Sequence, residues 1–250
     1  MANVRIGSLD FRGGDGQDGF YIEGQGLQGL LSGVDVKRDS VSRPQAHGDF
    51  DVPGFLESRI VTLAGPCIAA SEDVLSHRGR MLTGLLADGG SLPVTFDVPG
   101  GPLWGRARLA SKTEFDVTHW GSRARYQLSL LFANPRLFGE SRTRAAFLPI
   151  ANYGNFGAAP VHTVFGDAPS GYQIAGVAGK VFTVTRPLVA GVPHVVDMAN
   201  GYLRVGGVIV YGGISRGDTW VVPAGGQVTH TIFAPSGFAE LSTLVRDTYV

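Results

Sequence analysis

The sequence predicts a mostly β chain of two domains, and three observations carry that reading. Its 37 glycines are scattered between short apolar runs instead of gathered in one tract, which marks many turns. The runs between them alternate polar and apolar residues, the period of half-buried strands. Only one stretch, residues 71–90, has helical spacing. At 250 residues the chain has room for one large β domain or two ordinary ones.

Taken in order, "LLSGVDVKRD" (30–39) and "ESRIVTLAG" (57–65) read as the early strands. In "SEDVLSHRGRMLTGLLADGG", Ser71 is a good N-cap, and Glu72 and Asp73 suit the positive end of the helix dipole. Val74, Leu75, Met81, Leu82, Leu85 and Leu86 form one apolar stripe, with Arg78 in the same series. Asp88-Gly89-Gly90 is a stop signal. Gly79 and Gly84 weaken the helix by about 1 kcal/mol each relative to alanine, so it must rely on packing against a sheet. "LPVTFDV" (92–98), the turn "PGGP" (99–102) and the segments 103–117 and 123–135 form a meander, with a long hairpin turning at "THWGSR" (118–123).

The character changes near residue 145. Of the 42 charged residues, 32 precede Ala151. Beyond it come short strand candidates at 162–165, 180–185, 194–198, 202–205, 208–212, 219–223, 228–234 and 241–250, with no helical pattern. Close, regular spacing with Gly, Pro and Asn turns predicts an antiparallel sandwich or jelly roll. The expected domains are therefore 1–145 and 146–250.

Composition narrows the function. Charged residues are 17% of the chain, and 21 basic residues balance 21 acidic ones. A phosphate-tracking surface needs clustered basic residues, which this balance argues against. A surface so poor in charge reads as one covered by partners. The lone Cys67 cannot form an internal disulfide, and no apolar run is long enough for secretion or for a membrane helix. The chain reads as made and kept in solution.

The densest chemistry lies in "RPQAHGDFDVPGFLESRIVTLAG" (43–65). His47 with Asp49 and Asp51 could be drawn as a base and its orienting carboxylate. No nucleophile elbow accompanies them, and Cys67 sits among apolar neighbours that raise a thiol pKa. A turn histidine is the better reading. The six histidines have no metal-ligand spacing. Asp15, Asp18 and Glu23 lie near glycines but lack the alternating acids of a calcium loop, and no P-loop pattern is present. Neither catalytic activity nor a cofactor is expected. Trp220, Tyr202, Tyr211 and Tyr172 could form a sugar-stacking platform, although aromatic residues on strands more often pack in a core.

The order of features resembles the distal tail protein family of long-tailed (siphovirus) bacteriophages. The matching motifs are Arg43, the pair His47-Gly48, "RIVTLAG" from Arg59 to Gly65, the single helix, the hairpin and "LFANPRLFG" (131–139). Further on come "NYGNFGAAPVHTVFG" (152–166), "HVVDMANGYLRVGG" (194–207) and "VVPAGGQVTHTIFA" (221–234). Gln227 stands where the family often has Asn, and Ala224-Gly225-Gly226 is one residue longer than its pattern.

The resemblance implies an N-terminal β-sandwich with one helix and a protruding hairpin, and a C-terminal galectin-like sandwich pointing outward. It implies a homo-hexameric ring at the virion tail tip or baseplate, assembled in the host cytoplasm. Such a ring joins the tail tube protein to the tail-tip hub protein, with the tape measure protein as a further candidate neighbour, and DNA passes through its channel without specific binding. Arg43, His47, Gly48, Arg59 and Gly65 would then be structural pins of the ring domain. The arm 103–135, with Trp104, Phe115 and Trp120, would carry the subunit contact. The alternative is a carbohydrate-binding tail protein that uses Trp220 and Tyr202 of the second domain.

Overall fold

The structure, a computed structural model, describes residues 2–14, 18–119 and 121–250. The chain forms two compact units, Met1–Leu137 together with Val250, and Phe138–Tyr249. The boundary lies at Leu137/Phe138, where the sequence reading set it near residue 145.

The first unit contains β1 (Asn3–Ile6), β2 (Leu9–Gly13), β3 (Gly19–Ile22), β4 (Leu27–Gln28), β5 (Val36–Lys37) and β6 (Phe55–Leu56). After these come β7 (Arg59–Ile68), helix α1 (Glu72–Gly84), β8 (Leu92–Val98), β9 (Gly101–Leu109), β10 (Glu114–His119) and β11 (Arg123–Phe132). Hydrogen bonding runs β11-β7-β3-β2-β1-β8-β9, and β9 pairs back to β11 at Leu109↔Leu130. The sandwich is thus closed on itself, and its interior must be filled by side chains. Strict alternation supplies them: Val61, Leu63 and Cys67 from β7 and Ala124, Tyr126, Leu128, Leu130 and Phe132 from β11 all point inward and are buried. The rings of Phe11, Phe20 and Tyr126 meet there at 5.2–5.5 Å. The Tyr126 hydroxyl donates to Tyr21 O at 3.0 Å, so the one polar atom of this cluster is satisfied.

The segment 103–117, a single strand by its pattern, is two. After Leu109 the chain inserts extra residues at 110–113, so pairing with β11 resumes at Glu114↔Gln127 in a shifted register. Helix α1 covers β10, and Gly79 is what lets it do so. A Cβ at Gly79 would lie 2.8 Å from the Phe115 ring, so here the helix propensity of alanine would be lost to a clash. The helix ends at Gly84, short of the Asp88 stop, and Leu86 turns into the left-handed region (φ 60°) with its side chain buried. Leu75 and Leu82 are buried as expected, whereas Met81 is exposed. Arg78 clamps the helix down: it holds Asp18 through two bonds of 2.6 Å and also donates to Ile68 O at the end of β7.

The second unit contains β12 (Leu137–Ala145), β13 (Pro149–Ala151), β14 (Val161–Asp167), β15 (Tyr172–Ala175), β16 (Val181–Val184) and β17 (His194–Asp197). These lead to β18 (Tyr202–Val205), β19 (Val208–Val210), β20 (Ile214–Gly217), β21 (Gln227–Thr229), β22 (Thr231–Phe233) and β23 (Phe238–Tyr249). A sheet β12-β23-β14-β17-β18-β19 faces a sheet β20-β16-β15-β22 across Val164, Tyr172, Ile174, Phe182, Val196, Leu203 and Leu241. The segment 219–223 is not a strand; it makes only the bridge Ala158↔Val222.

Asn152 organises the smaller β13–β21 end of this unit. Its amide donates to Phe156 O (2.7 Å), Val222 O and Pro223 O (3.2 Å each), and its carbonyl accepts from Gly154 N and Thr248 N. A Cβ at Gly154 would lie 2.0 Å from Thr248 O, so the Asn-Tyr-Gly sequence is a backbone lock with no room for substitution. Asn152→Ala orphans this set of buried backbone groups. It should destabilise the chain by about 3 kcal/mol or more, read as a lower denaturant midpoint at unchanged slope.

The same unit buries three histidines. The Trp220 indole N–H donates to His230 Nε2 at 3.0 Å, which leaves the His230 proton on Nδ1, and His162 Nδ1 contacts Thr243 Oγ1 at 2.9 Å. The His162 and His230 rings stand 4.7 Å apart, and His162 Nε2 and His230 Nδ1 have no partner among the described residues. Burial lowers the pKa of both, and at His162 repulsion from His230 adds to it, which brings them to about 3 for His162 and about 4 for His230. His194, beside the Tyr172 hydroxyl, is lowered by burial and then by Arg186. The unfolded chain takes up these protons near pH 6.5, while the folded unit keeps His162 and His230 neutral until far lower pH. Their contribution to stability is therefore complete above about pH 6.5 and is lost as the pH falls towards 4 and 3. A melting series should show Tm falling between pH 7 and pH 5, already above the carboxylate range; a flat Tm there would contradict this.

Candidate assembly surface

The segment that the sequence singles out, 43–65, runs from an exposed hairpin into the core. Its hinge is Arg59, the first residue of β7. The Arg59 side chain is buried and its guanidinium donates to Gly29 O (2.8 Å), Leu30 O (2.9 Å), Ser32 O (2.9 Å) and Pro135 O (3.0 Å). Burial lowers its pKa from the usual arginine value. Four carbonyl dipoles converging on the planar fork offset that desolvation. They also fix the backbone at the base of the hairpin.

Between residues 32 and 59 the chain leaves the body. Glu57 N donates to Asp35 O, β5 pairs with β6 at Val36↔Leu56 and Lys37↔Phe55, and Phe50 N donates to Val41 O. The bridge Ser42↔Asp49 and the bond from Arg43 N to Gly48 O continue the ladder. These pairs describe one antiparallel hairpin, with a one-residue slip between 37/55 and 41/50. Nine residues per leg, from Asp35 to Arg43, give it a length of roughly 30 Å. Gly48 has φ 82° and closes the tip, the Arg43 guanidinium lies 5.7 Å over the Phe50 ring, and Ser40 donates to Asp49 at 2.5 Å. His47 is exposed at the tip, and the Asp49 carboxylate is engaged by Ser40. Among the described residues no three His, Cys, Asp or Glu side chains converge.

This hairpin joins no hydrophobic cluster among the described residues of its own chain. Val36, Val41, Phe50 and Phe55 are 51–74% exposed, and Leu31 at the root is 84% exposed. A two-stranded ladder with apolar side chains in water is marginal on its own. It has the character of a surface awaiting a cover.

The arm expected at 103–135 is not free. β11 is paired with β7 at ten consecutive positions, from Arg123↔Ile68 to Phe132↔Arg59, and its inner face is core. Phe115 packs under Gly79 of the helix, Trp104 is half-buried on β9, and Trp120 lies outside the described residues. Gly65 is a point of close approach, since a Cβ there would lie 2.0 Å from Tyr21 O. The sugar platform also dissolves. Trp220 is 3% exposed, stacked on His230, and Tyr172 is buried, whereas Tyr202 and Tyr211 remain on the surface. Asp18 and Glu23, weighed as calcium ligands, are engaged by Arg78 and Arg125 at 2.6 Å; Asp15 lies outside the described residues. Cys67 is buried, and burial pushes its thiol up to about 11.

No family model matches the sequence, and no curated protein does. Solved structures do. The SPP1 Dit protein, described as a paradigm of the hub adsorption apparatus in phages infecting Gram-positive bacteria, aligns over 100% of both chains with a TM-score of 0.72 at 13% identity. The fold of this chain is the fold of SPP1 Dit. Two structures of the phage P2 baseplate in its activated conformation, with Ca and with Sr, align over 98% of each chain at 10% identity. Their TM-score of 0.49 is too low to support a shared fold.

Arg59→Ala should orphan four carbonyls and loosen the hairpin root. The expected result is a lower Tm and faster tryptic cleavage after Lys37 or Arg38. Arg59→Lys should restore little, because one ammonium cannot reach both sides of the fork. Wild-type cleavage rates in either variant would show that the guanidinium is not what holds the root.

Proposed function

We propose that this chain is a structural component of a bacteriophage tail tip. Six copies form a ring that joins the tail tube protein to the tail-tip hub protein, and DNA passes through the ring without specific binding. The observation that carries this reading is the full-length correspondence with the fold of SPP1 Dit, both units included. The uncovered hairpin supports it: an apolar arm with no seat on its own chain is suited to a neighbouring copy, and a head-to-tail contact that repeats by rotation closes into a ring. The near absence of net charge and the sparse charged surface suit a protein whose faces are covered in an assembly. On this reading the second unit is the galectin-like domain of the family, and the role is mechanical instead of catalytic.

Light scattering with negative-stain images of the same fraction tests the proposal. The expected mass is about six times the 26.4 kDa chain, in rings with a central hole. A monomer at every concentration, and still a monomer when mixed with tail tube protein, would overturn it.

A further inference from the structure

We infer that the second unit binds an aliphatic carboxylate in a pocket at the start of β17. The pocket has a volume of about 400 Å³, at the small end for a ligand site. Pro187, Val189, Val192 and Val205 wall it, and its two polar residues are Arg186 and His194. No Asp or Glu is among its described lining residues.

Local backbone sets these side chains in place. Leu188 and Ala168 exchange both backbone bonds, at 2.9 and 3.0 Å. The chain then turns back at Gly191 (φ 82°), where Val192 N donates to Val189 O and the two valines are bridged. Thr185 N donates to Gly213 O, which anchors the residue before Arg186.

His194 is 1% exposed and has a ring nitrogen to spare. Its Nδ1 meets the Tyr172 hydroxyl at 3.2 Å, and that buried hydroxyl has no other partner among the described residues. A buried phenol keeps its proton bonded, so Tyr172 donates, Nδ1 accepts, and the neutral imidazole carries its proton on Nε2. Nε2 has no partner among the described residues, and unlike the unpaired nitrogens of His162 and His230 it is not sealed from solvent. Its outlet is the pocket that His194 lines. Arg186 is exposed, close enough to act on His194 electrostatically, and has no ion pair among the described residues.

Two donors, one of them charged, therefore converge on a pocket with apolar walls. A carboxylate offers one oxygen to each donor, and a branched apolar chain behind it covers the valines. A neutral apolar molecule leaves both donors unpaired, and a bare inorganic anion leaves the walls in water. A free aliphatic acid and the apolar last residue of a peptide present the same chemistry.

Saturation-transfer NMR on the full chain tests this, and it reads ring and monomer alike. Isovalerate should show saturable transfer, strongest at its methyl groups. Isovaleramide should bind about tenfold more weakly or worse. Arg186→Gln, at an exposed position, and Val192→Asp, which sets a negative charge at the mouth, should each weaken isovalerate by about tenfold or more at an unchanged Tm. A short peptide ending in valine with a free carboxylate separates the sources: tighter binding than isovalerate assigns the pocket to a chain terminus, and weaker binding assigns it to a free acid. No saturable transfer from either probe, equal binding of acid and amide, or unchanged affinity in Arg186→Gln would overturn the inference.

Discussion

Ten consecutive residue pairs between β7 and β11 hold the first unit together, and its hairpin and its helix hang from the two ends of this ladder. At its start, Arg59 gathers the carbonyls from which the hairpin springs. At its finish, Ile68 O receives the arginine that anchors the helix. Between these ends the inward residues of both strands fill the closed sheet with Leu, Val, Tyr and Phe. Shifting the register by one residue would turn this whole set to solvent. The ladder therefore fixes the direction of the hairpin as firmly as it fixes the core.

The second unit is held by a different device. Its strands are shorter, and its charged residues are few, so polar side chains capture backbone at the points where strands end. Asn152 does this for the segments around Gly154, Val222 and Thr248. Asp197 does it for the turn to Gly201, accepting from Ala199 N while its backbone carbonyl accepts from Gly201 N. Arg142 bridges the buried Asp247 and Glu140 and lies 4.4 Å from the Tyr153 ring. Each of these charges and amides is committed to geometry, to holding backbone or a partner side chain in place.

Much of the fold is legible in the sequence because its strands follow a strict period of two. The segments 92–98 and 202–205 coincide with their strands, and the helix cap at Ser71 is where the sequence puts it, accepting from Val74 N. The first strands, β1 to β3, escape such a reading because each is four or five residues long and closely flanked by glycine. The hairpin turning at 118–123 forms as read, between β10 and β11, but it lies in the sheet and does not project as an arm. Alternation signals burial, and the alternating 103–135 is core, whereas the free arm alternates poorly because neither of its faces is buried by its own chain. Its signal is the opposite one: eight charged residues within 35–57 and isolated Val and Phe between them. Trp220 stays open in the sequence between a sugar platform and a core position, because an indole near a strand is silent about which face it takes. The histidines that partner it are visible as residues and invisible as neighbours.

Glycine has a consequence for how such a sequence can drift. At Gly26, Gly65 and Gly154 the atom that would meet an added Cβ, at 1.9–2.0 Å, is a backbone oxygen, not a side chain. Such positions admit one residue, whatever the neighbours become. The interior of the closed sheet is different: Leu, Ile, Val and Phe can trade places there as long as volume and period are kept. Over long divergence the interchangeable positions lose their resemblance and the immovable ones are too few and too plain to register as a pattern. The same fold can therefore be met along a whole chain at 13% identity, as it is with SPP1 Dit.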